Sequence, residues 1–381
     1  MSCSLVRLNT VILLLVLFNT GVEAGLINIF AGVVNMVAKV LSNFAPSSET
    51  VSYATNMVIG YPLTAVASVV DKICTIGLGI KGHMLWGEVD LTHIKFQLRT
   101  ACSKYTYSLR DARKLLNNSD FHPSRKVVIV VSGWTQTVNN SDTIDKMAKV
   151  FNCRGDVNFL ALDMDQYLAT FYIWAVQNTD SIALGLAQGL TMLKEVIPIE
   201  NVQLIGHSLG AHIVGRAGRY FTEKTGEKLP YITGLDPAKT CLAAEQRIGR
   251  GDAHKVEIIH SNPGVLGIAE PLGHIDLYAS FLRPFANGCM GVICSHMRAV
   301  DYYVEFLYPG NERGFIAKRC ASWQHLRAEQ CTGQNYAMGS KDYHIRGGSI
   351  FALDLNPRPP YGRGSISQCG ARRSNCGLCQ R

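Results

Sequence analysis

Short runs of consecutive β-branched and aliphatic residues recur through the middle of the chain, with helical stretches between them. This alternation limits the fold more than any other feature. Lys126 to Val131 carries five such residues in a row, and Val157 to Leu162, Val202 to Ile205, Tyr231 to Thr233 and Val256 to His260 are further runs of the same kind. A strand that is apolar at successive positions, rather than at alternate ones, is buried on both faces. Between the runs, Ser141 to Phe151, Ser181 to Val196 and Leu209 to Phe221 read as helices, the second stopped by Pro198. Strands that alternate with helices imply a mostly parallel central sheet with helices on both faces, an α/β fold. Ser349 to Leu355 is one more strand.

One motif sits at a junction of that pattern. Gly206-His207-Ser208-Leu209-Gly210 lies between the run ending at Ile205 and the helix opening at Leu209. It matches G-x-S-x-G in a strand–turn–helix context, which makes Ser208 a candidate nucleophile. A reactive serine has to stand at the top of a sharp turn, and flanking glycines let the backbone bend. The helix start beyond it offers N–H donors and a positive dipole end where an oxyanion forms.

A nucleophilic serine needs a base, and the base needs an orienting acid. In such folds the acid and then the histidine follow the serine in the chain. Gly234-Leu235-Asp236-Pro237 ends a strand run with an acid at the sheet's carboxyl edge. Taken alone, Asp236 reads better as an ordinary turn-capping residue. His254, His260, His274 and His296 all follow it. His260 and His274 lie in apolar runs and suit buried structural roles. His296 follows Cys294-Ser295 and precedes a helix-like stretch from Met297 to Leu307, so it reads as a loop histidine beside a disulfide. Spacing alone leaves the choice of base open.

The rest of the chain divides around this middle. Residues 1–24 carry a basic start, an apolar run from Val11 to Phe18 and Val22-Glu23-Ala24, which together read as a secretory signal peptide cleaved after Ala24. Residues 25–80 are read as an apolar helical extension packed on the main domain. A membrane-surface helix or a propiece are the other readings. Residues 81–360 form the main domain, and 361–381 a cysteine-containing tail. The chain has 12 cysteines, and with Cys3 leaving alongside the signal the remaining number is odd. Export to an oxidising compartment pairs most of them and leaves one over, with Cys153 and Cys241 as candidates. The tail's Cys376 and Cys379 make a C-x-x-C, but no βαβ unit or histidine cluster supports a redox or zinc site. Asn117-Asn118-Ser119 and Asn139-Asn140-Ser141 are glycosylation sequons. The net charge of +8 comes from scattered residues without a dense basic run, so no nucleic-acid partner is expected. It is compatible with peripheral contact to an anionic lipid surface.

Residues from about 85 to 355 resemble the pancreatic lipase family, in its insect secreted branch. The matching segments are Ile94 to Leu98, Phe121-His122-Pro123, Val130 to Trp134, Gly206 to His212, Gly234 to Ala238, Val256 to His260, Gly273 to Asp276 and Cys294-Ser295-His296. The resemblance implies an α/β-hydrolase fold, action on lipid esters at an interface, and a Ser208–Asp236–His296 triad. It also implies an oxyanion hole from the backbone N–H groups of Trp134 and Leu209, a Cys320–Cys331 disulfide, and no cofactor. Several departures carry information. Ser132 stands where the family usually has histidine. The family's lid lies between two cysteines before the catalytic histidine; here Cys289 and Cys294 enclose only Met290 to Ile293. The loop from His260 to His274 is also short. Both features resemble the phospholipase A1 members and leave the pocket open to polar head groups.

The family's calcium loop corresponds to Cys241 to Ala253. Its acids here are Glu245 and Asp252, and Gly249 stands where a ligand is expected. Calcium takes six or more oxygens, so no functional metal is expected. The stretch after His296 leaves little for a C-terminal β-sandwich, so neither that module nor a colipase-like protein partner is expected. The function expected is a secreted, extracellular phospholipase A1 or triacylglycerol lipase. The alternative is a catalytically silent, yolk-protein-like storage or lipid-binding protein. Yolk-type members lack the nucleophile, and Ser208 is the residue that separates the two.

Overall fold

The computed structural model describes residues 89–164, 166–169, 172–239, 242–340, 348–365 and 375–379. The expected signal segment 1–24, the apolar extension 25–80, Cys241 and the part of the tail around Cys369 lie outside the described residues.

Strands β1 (Lys95–Arg99), β2 (Lys104–Ser108), β3 (Lys126–Val131), β4 (Val157–Asp163), β5 (Val202–His207), β6 (Tyr231–Leu235), β7 (Lys255–His260), β8 (Ile275–Leu282), β9 (Ile316–Arg319), β10 (Asn335–Ala337) and β11 (Ser349–Leu353) join in one 11-stranded sheet. Its order is β10-β9-β11-β8-β7-β6-β5-β3-β4-β1-β2. From β4 across to β11 neighbouring strands run parallel. The β1–β2 edge and the β9–β10 edge are antiparallel. The fold is an α/β-hydrolase fold with a mostly parallel sheet. The edge strands and β8 are absent from the sequence reading for a physical reason. β2, at one edge, and β9, just inside the other, carry charged, exposed positions and so lack an unbroken apolar run. β8 includes the buried Asp276, which interrupts its apolar run.

The described residues also form α-helices α1 (Asp142–Arg154), α2 (Tyr172–Lys194), α3 (Leu209–Thr225), α4 (Val292–Leu307) and α5 (Trp323–Arg327), with short 3-10 turns between elements. None of the described helices is long and apolar enough to cross a membrane. The alternation along β3 shows why the sheet is covered on both sides. Val127, Ile129 and Val131 pack with Ile213, Val214 and Ala217 of α3 and Leu186 and Leu190 of α2. Val128 and Val130 pack with Ile144 and Met147 of α1 and Val300 and Tyr302 of α4. Consecutive valines are needed because successive side chains enter different cores.

α2 starts well before the expected Ser181. Asn178, Thr179 and Asp180 look like a polar break, but Thr179 Oγ1 donates to the Val176 carbonyl at 2.6 Å and Asn178 Nδ2 to the Tyr167 carbonyl at 2.9 Å. Satisfied in this way, they ride inside the helix. Cys102–Cys379 and Cys153–Cys376 tie the C-terminal tail to the loop after β1 and to α1. Cys153 is therefore paired, which removes it as a candidate for the odd thiol. The C-x-x-C cysteines are bonded to different elements and not to each other.

Candidate active site

Ser208 stands between β5 and α3 with φ 58° and ψ −122°, a backbone conformation that L-residues rarely adopt. Holding it costs on the order of 1–3 kcal/mol. Its N–H donates to the Leu235 carbonyl at 3.0 Å, and its carbonyl accepts from Ala211 and Ala238, both at 3.2 Å. Serine often caps a helix with its hydroxyl; here the Ser208 hydroxyl makes no capping bond. The flanking glycines work differently from the expected role. Neither has a positive φ. What they provide is room: a Cβ on Gly206 would lie 2.2 Å from the Gly210 carbonyl, and one on Gly210 2.3 Å from the Val131 carbonyl. The strain sits on the serine, and the glycines let β5, α3 and the end of β3 close on it.

The loop after β3 presses against the same point. A Cβ on Gly133 would lie 2.7 Å from Ser208 Cβ and 3.2 Å from its Oγ. Trp134, next in the chain, is half-buried, with its ring edge-on to Tyr172 at 5.1 Å between centroids. Thr135 has φ 66°, and its N–H donates to the Leu168 carbonyl at 3.0 Å. Leu209 opens α3 and so belongs to the first-turn N–H groups that have no intrahelical partner. Ser132, in the place of the family's histidine, is buried, and its Oγ has no hydrogen-bond partner among the described residues.

Asp236 follows β6 directly and is fully buried, with φ 41°. Its N–H donates to the Ile259 carbonyl at 2.7 Å. Oδ1 accepts from the N–H groups of Ser261 at 2.7 Å and Asn262 at 3.0 Å. Oδ2 accepts from His296 Nδ1 at 2.5 Å. A Cβ on Gly267 would lie 2.5 Å from Oδ1, so that glycine gives the carboxylate its space. Ser261, Asn262 and Gly267 escape the sequence reading. The signal was a polar pair straight after an apolar strand and a glycine inside Val265-Leu266-Gly267-Ile268.

His296 is a helix residue rather than the loop residue expected. α4 begins at Val292, capped by Gly291, so the Cys289–Cys294 disulfide straddles the helix start. Ser295 Oγ donates to the Gly291 carbonyl at 2.9 Å and accepts from Ala286 N–H at 3.2 Å, which fixes that first turn. Met290, at the tip of the small disulfide loop, is 98% exposed. A proton on His296 Nδ1, engaged by Asp236, leaves Nε2 as the acceptor nitrogen of the neutral ring. The His207 ring packs against His296 with 4.8 Å between centroids, and its Nε2 lies 3.4 Å from the His296 carbonyl. Burial pushes the His207 pKa well below the usual value, and the neighbouring His296 pushes the same way. His207 is therefore held neutral beside His296.

The other histidines are elsewhere. His260 Nε2 bonds Asp276 Oδ1 at 2.9 Å, and His274 Nδ1 accepts from Val256 N–H at 3.0 Å. His254 begins the approach to β7. Cys320 is joined to Cys331 beside β9, and the sequon residues Asn117 and Asn139 are both exposed.

A family model described as Lipase matches residues 83–347. Vitellogenin-3 of Drosophila melanogaster is 32% identical over 60% of this chain and 54% of its own length. Phospholipase A1 member A of Mus musculus is 30% identical over 62% of this chain and 53% of its own. Phospholipase A1 of Vespa velutina is 36% identical over 50% of this chain and 67% of its own. The chain spans about half the length of the first two. With well over half of its residues matched by the family model, the chain belongs to the lipase family, in its pancreatic lipase group.

Proposed function

We propose that the protein is a serine hydrolase of lipid carboxylic esters, with a phospholipase A1-type substrate. The observation that carries this reading is the hydrogen bond from His296 to a fully buried Asp236, beside a serine held in a strained elbow with its hydroxyl uncommitted to capping. In the mechanism, Ser208 Oγ attacks the ester carbonyl while its proton passes to His296 Nε2. Asp236 holds the ring's tautomer and stabilises the imidazolium. The N–H groups of Trp134 and Leu209 receive the oxyanion, each worth on the order of 3 kcal/mol. The leaving alcohol takes the proton from His296. Water, deprotonated by the same nitrogen, then attacks the acyl-enzyme and restores the serine.

A phospholipid substrate is favoured over triglyceride by the phospholipase A1 relatives and by the short Cys289–Cys294 loop, too small to roof a pocket. The paired cysteines and exposed sequons support secretion as a glycoprotein. The match to Vitellogenin-3 favours the yolk-like storage reading. Ser208 in its elbow, with His296 bonded to Asp236, supports catalysis instead.

The test is fatty-acid release from phosphatidylcholine and from triolein by the native protein and by Ser208→Ala. Release from the phospholipid that Ser208→Ala abolishes is the expected result. Equal release by both proteins, or none by either, removes the hydrolase reading.

A further inference from the structure

The family's calcium loop has a different occupant here. Arg219 lies on α3, eleven residues past Ser208 and about 16 Å further along the same helix. Its guanidinium reaches into the loop from Leu242 to Asp252. Nε and Nη2 donate to Asp252 Oδ1 at 3.0 and 2.8 Å. Nη2 also donates to the Arg247 carbonyl at 3.1 Å, and Nη1 donates to the Glu245 carbonyl. Asp252 is fully buried, and its second oxygen accepts the Gly249 N–H at 2.8 Å. One planar cation thus gathers two main-chain carbonyls and a carboxylate, the oxygen types that a hard divalent ion would take.

The residues present do not fit calcium. Both oxygens of the single buried carboxylate are already in use, and Gly249 supplies no side-chain oxygen. A fixed positive group in the same place also opposes a second cation. The surrounding helix is shaped for this arrangement. His212, Gly215 and Arg219 share one face of α3, at helical spacing. A Cβ on Gly215 would lie 2.6 Å from Asp252 Oδ2, and one on Gly218 2.4 Å from the Asp252 carbonyl. The loop is therefore packed directly on the helix that carries Ser208.

The loop also leads back to the candidate site. The Ile248 N–H donates to His212 Nδ1 at 3.2 Å, and His212 Nε2 donates to the Ala238 carbonyl at 2.9 Å. Ala238 is two residues past Asp236, and its own N–H donates to the Ser208 carbonyl at 3.2 Å. Ile248 also packs over Gly234, at the end of the strand that delivers Asp236: its Cδ1 lies 3.3 Å from where a Cβ would be.

We propose that Arg219 is a resident cation that replaces a divalent metal in this loop, and that through Ile248 and His212 it positions the chain around Asp236 and Ser208. Only the positioning half rests on the hydrolase reading; the cation half stands on the loop itself. A hydrolase built this way keeps its active geometry where free calcium is scarce.

The experiment compares the native protein with Arg219→Ala and Arg219→Lys, each also made in the Ser208→Ala background so that folding is read without hydrolysis. Thermal unfolding is followed with EDTA, with calcium chloride, and with guanidinium at low millimolar concentration against sodium chloride of equal ionic strength. The native midpoint is expected to be unmoved by EDTA or calcium. Arg219→Ala should lose about 5 °C or more. It should regain part of that loss with guanidinium and none with sodium. In the active background its kcat should fall about tenfold or more with KM little changed, and recover alongside the midpoint. Arg219→Lys keeps the charge but cannot span three acceptors, so its midpoint should fall below native without responding to EDTA. That variant carries the comparison if Arg219→Ala does not fold. A native midpoint that drops with EDTA and returns with calcium overturns the proposal, as does a native-like midpoint in both variants. A kcat that stays at the native value while the midpoint falls overturns the positioning half alone.

Discussion

Two buried histidine–aspartate pairs lie differently in the fold: His260 with Asp276 joins β7 to β8 inside the sheet, and His296 with Asp236 joins helix α4 to the end of β6. His296 with Asp236 and His260 with Asp276 pair the same two groups, at 2.5 and 2.9 Å. His260 spends both nitrogens, one on Asp276 and the other on the Ile268 carbonyl at 2.9 Å, and its ring stacks flat on Tyr278 at 4.2 Å. Asp276 is equally committed, accepting from Leu272 and Gly273 N–H groups at 2.8 and 2.9 Å. His296 spends one nitrogen on its carboxylate, retains 8% exposure, and sits on the first turns of a helix beside a small, exposed disulfide loop. A histidine–carboxylate pair is available for acid–base chemistry only when one nitrogen is left over at an edge. With both nitrogens bonded inside, the same pair is a cross-link between β7 and β8.

Substitution separates the two. Ser208→Ala or His296→Gln should reduce kcat by about 10⁶-fold, since members of such a unit fail together. Their thermal midpoints should stay near native. Asp236→Asn comes next, at about 10⁴-fold, because an amide can donate to Nδ1 and impose the wrong tautomer. Steady-state hydrolysis of a soluble short-chain ester measures both. A His296→Gln protein with more than a few per cent of native kcat would break the comparison, because His296 would then be no more catalytic than His260.

The sequence showed the central strands and the elbow because those signals are local. Val127 to Val131 had to be buried on both faces, and Ser208 had to sit between a strand and a helix. Asp236 was legible as an acid at a strand end. The choice of base was not legible from spacing, because four histidines follow Asp236 and what distinguishes them is long-range: which ring nitrogen meets the Val256 N–H, the Ile268 carbonyl or a carboxylate. Only the resemblance to a family singled out His296. The helical setting of His296 was hidden by Cys294 and Ser295, which read as loop residues until the disulfide and the Ser295 back-bond are seen. Arg219 was invisible for the same reason. Its acceptors are main-chain carbonyls of Glu245 and Arg247, which carry no side-chain signature.

Breaking the structural pair should read out as stability and not as rate. Asp276→Leu leaves the His260 Nε2 and the Leu272 and Gly273 N–H groups buried without their shared acceptor. The cost is on the order of 3 kcal/mol, within the range for a buried charged hydrogen bond that loses one partner. Urea unfolding should show the lower midpoint, while kcat per folded molecule stays within about twofold of native, under 0.5 kcal/mol on the barrier. A selective loss of kcat at unchanged stability would mean that the second pair also serves the chemistry.

His212 sharpens the comparison further, and its effect is the smallest at neutral pH. Like His260 it uses both nitrogens, but one bond is accepted: Nδ1 receives the Ile248 N–H while Nε2 donates to Ala238. That pattern suits only the neutral ring, and burial brings its pKa down from 6.5 to about 4, against a weaker upward pull from the Ala238 hydrogen bond. A depressed histidine pKa means that the unfolded chain binds the proton first. Its contribution is intact above about pH 6.5 and erodes as the pH falls toward 4, by up to about 1.4 kcal/mol per pH unit and about 3 kcal/mol in all. Chemical unfolding of the native protein and of His212→Gln between pH 7 and pH 4 gives the measurement. The native protein should weaken more steeply across that window, and parallel curves would show that His212 is not held neutral by its two backbone partners. The same ring links the Arg219 loop to Ala238, so acid that protonates it should loosen the chain beside Asp236 before the sheet itself opens.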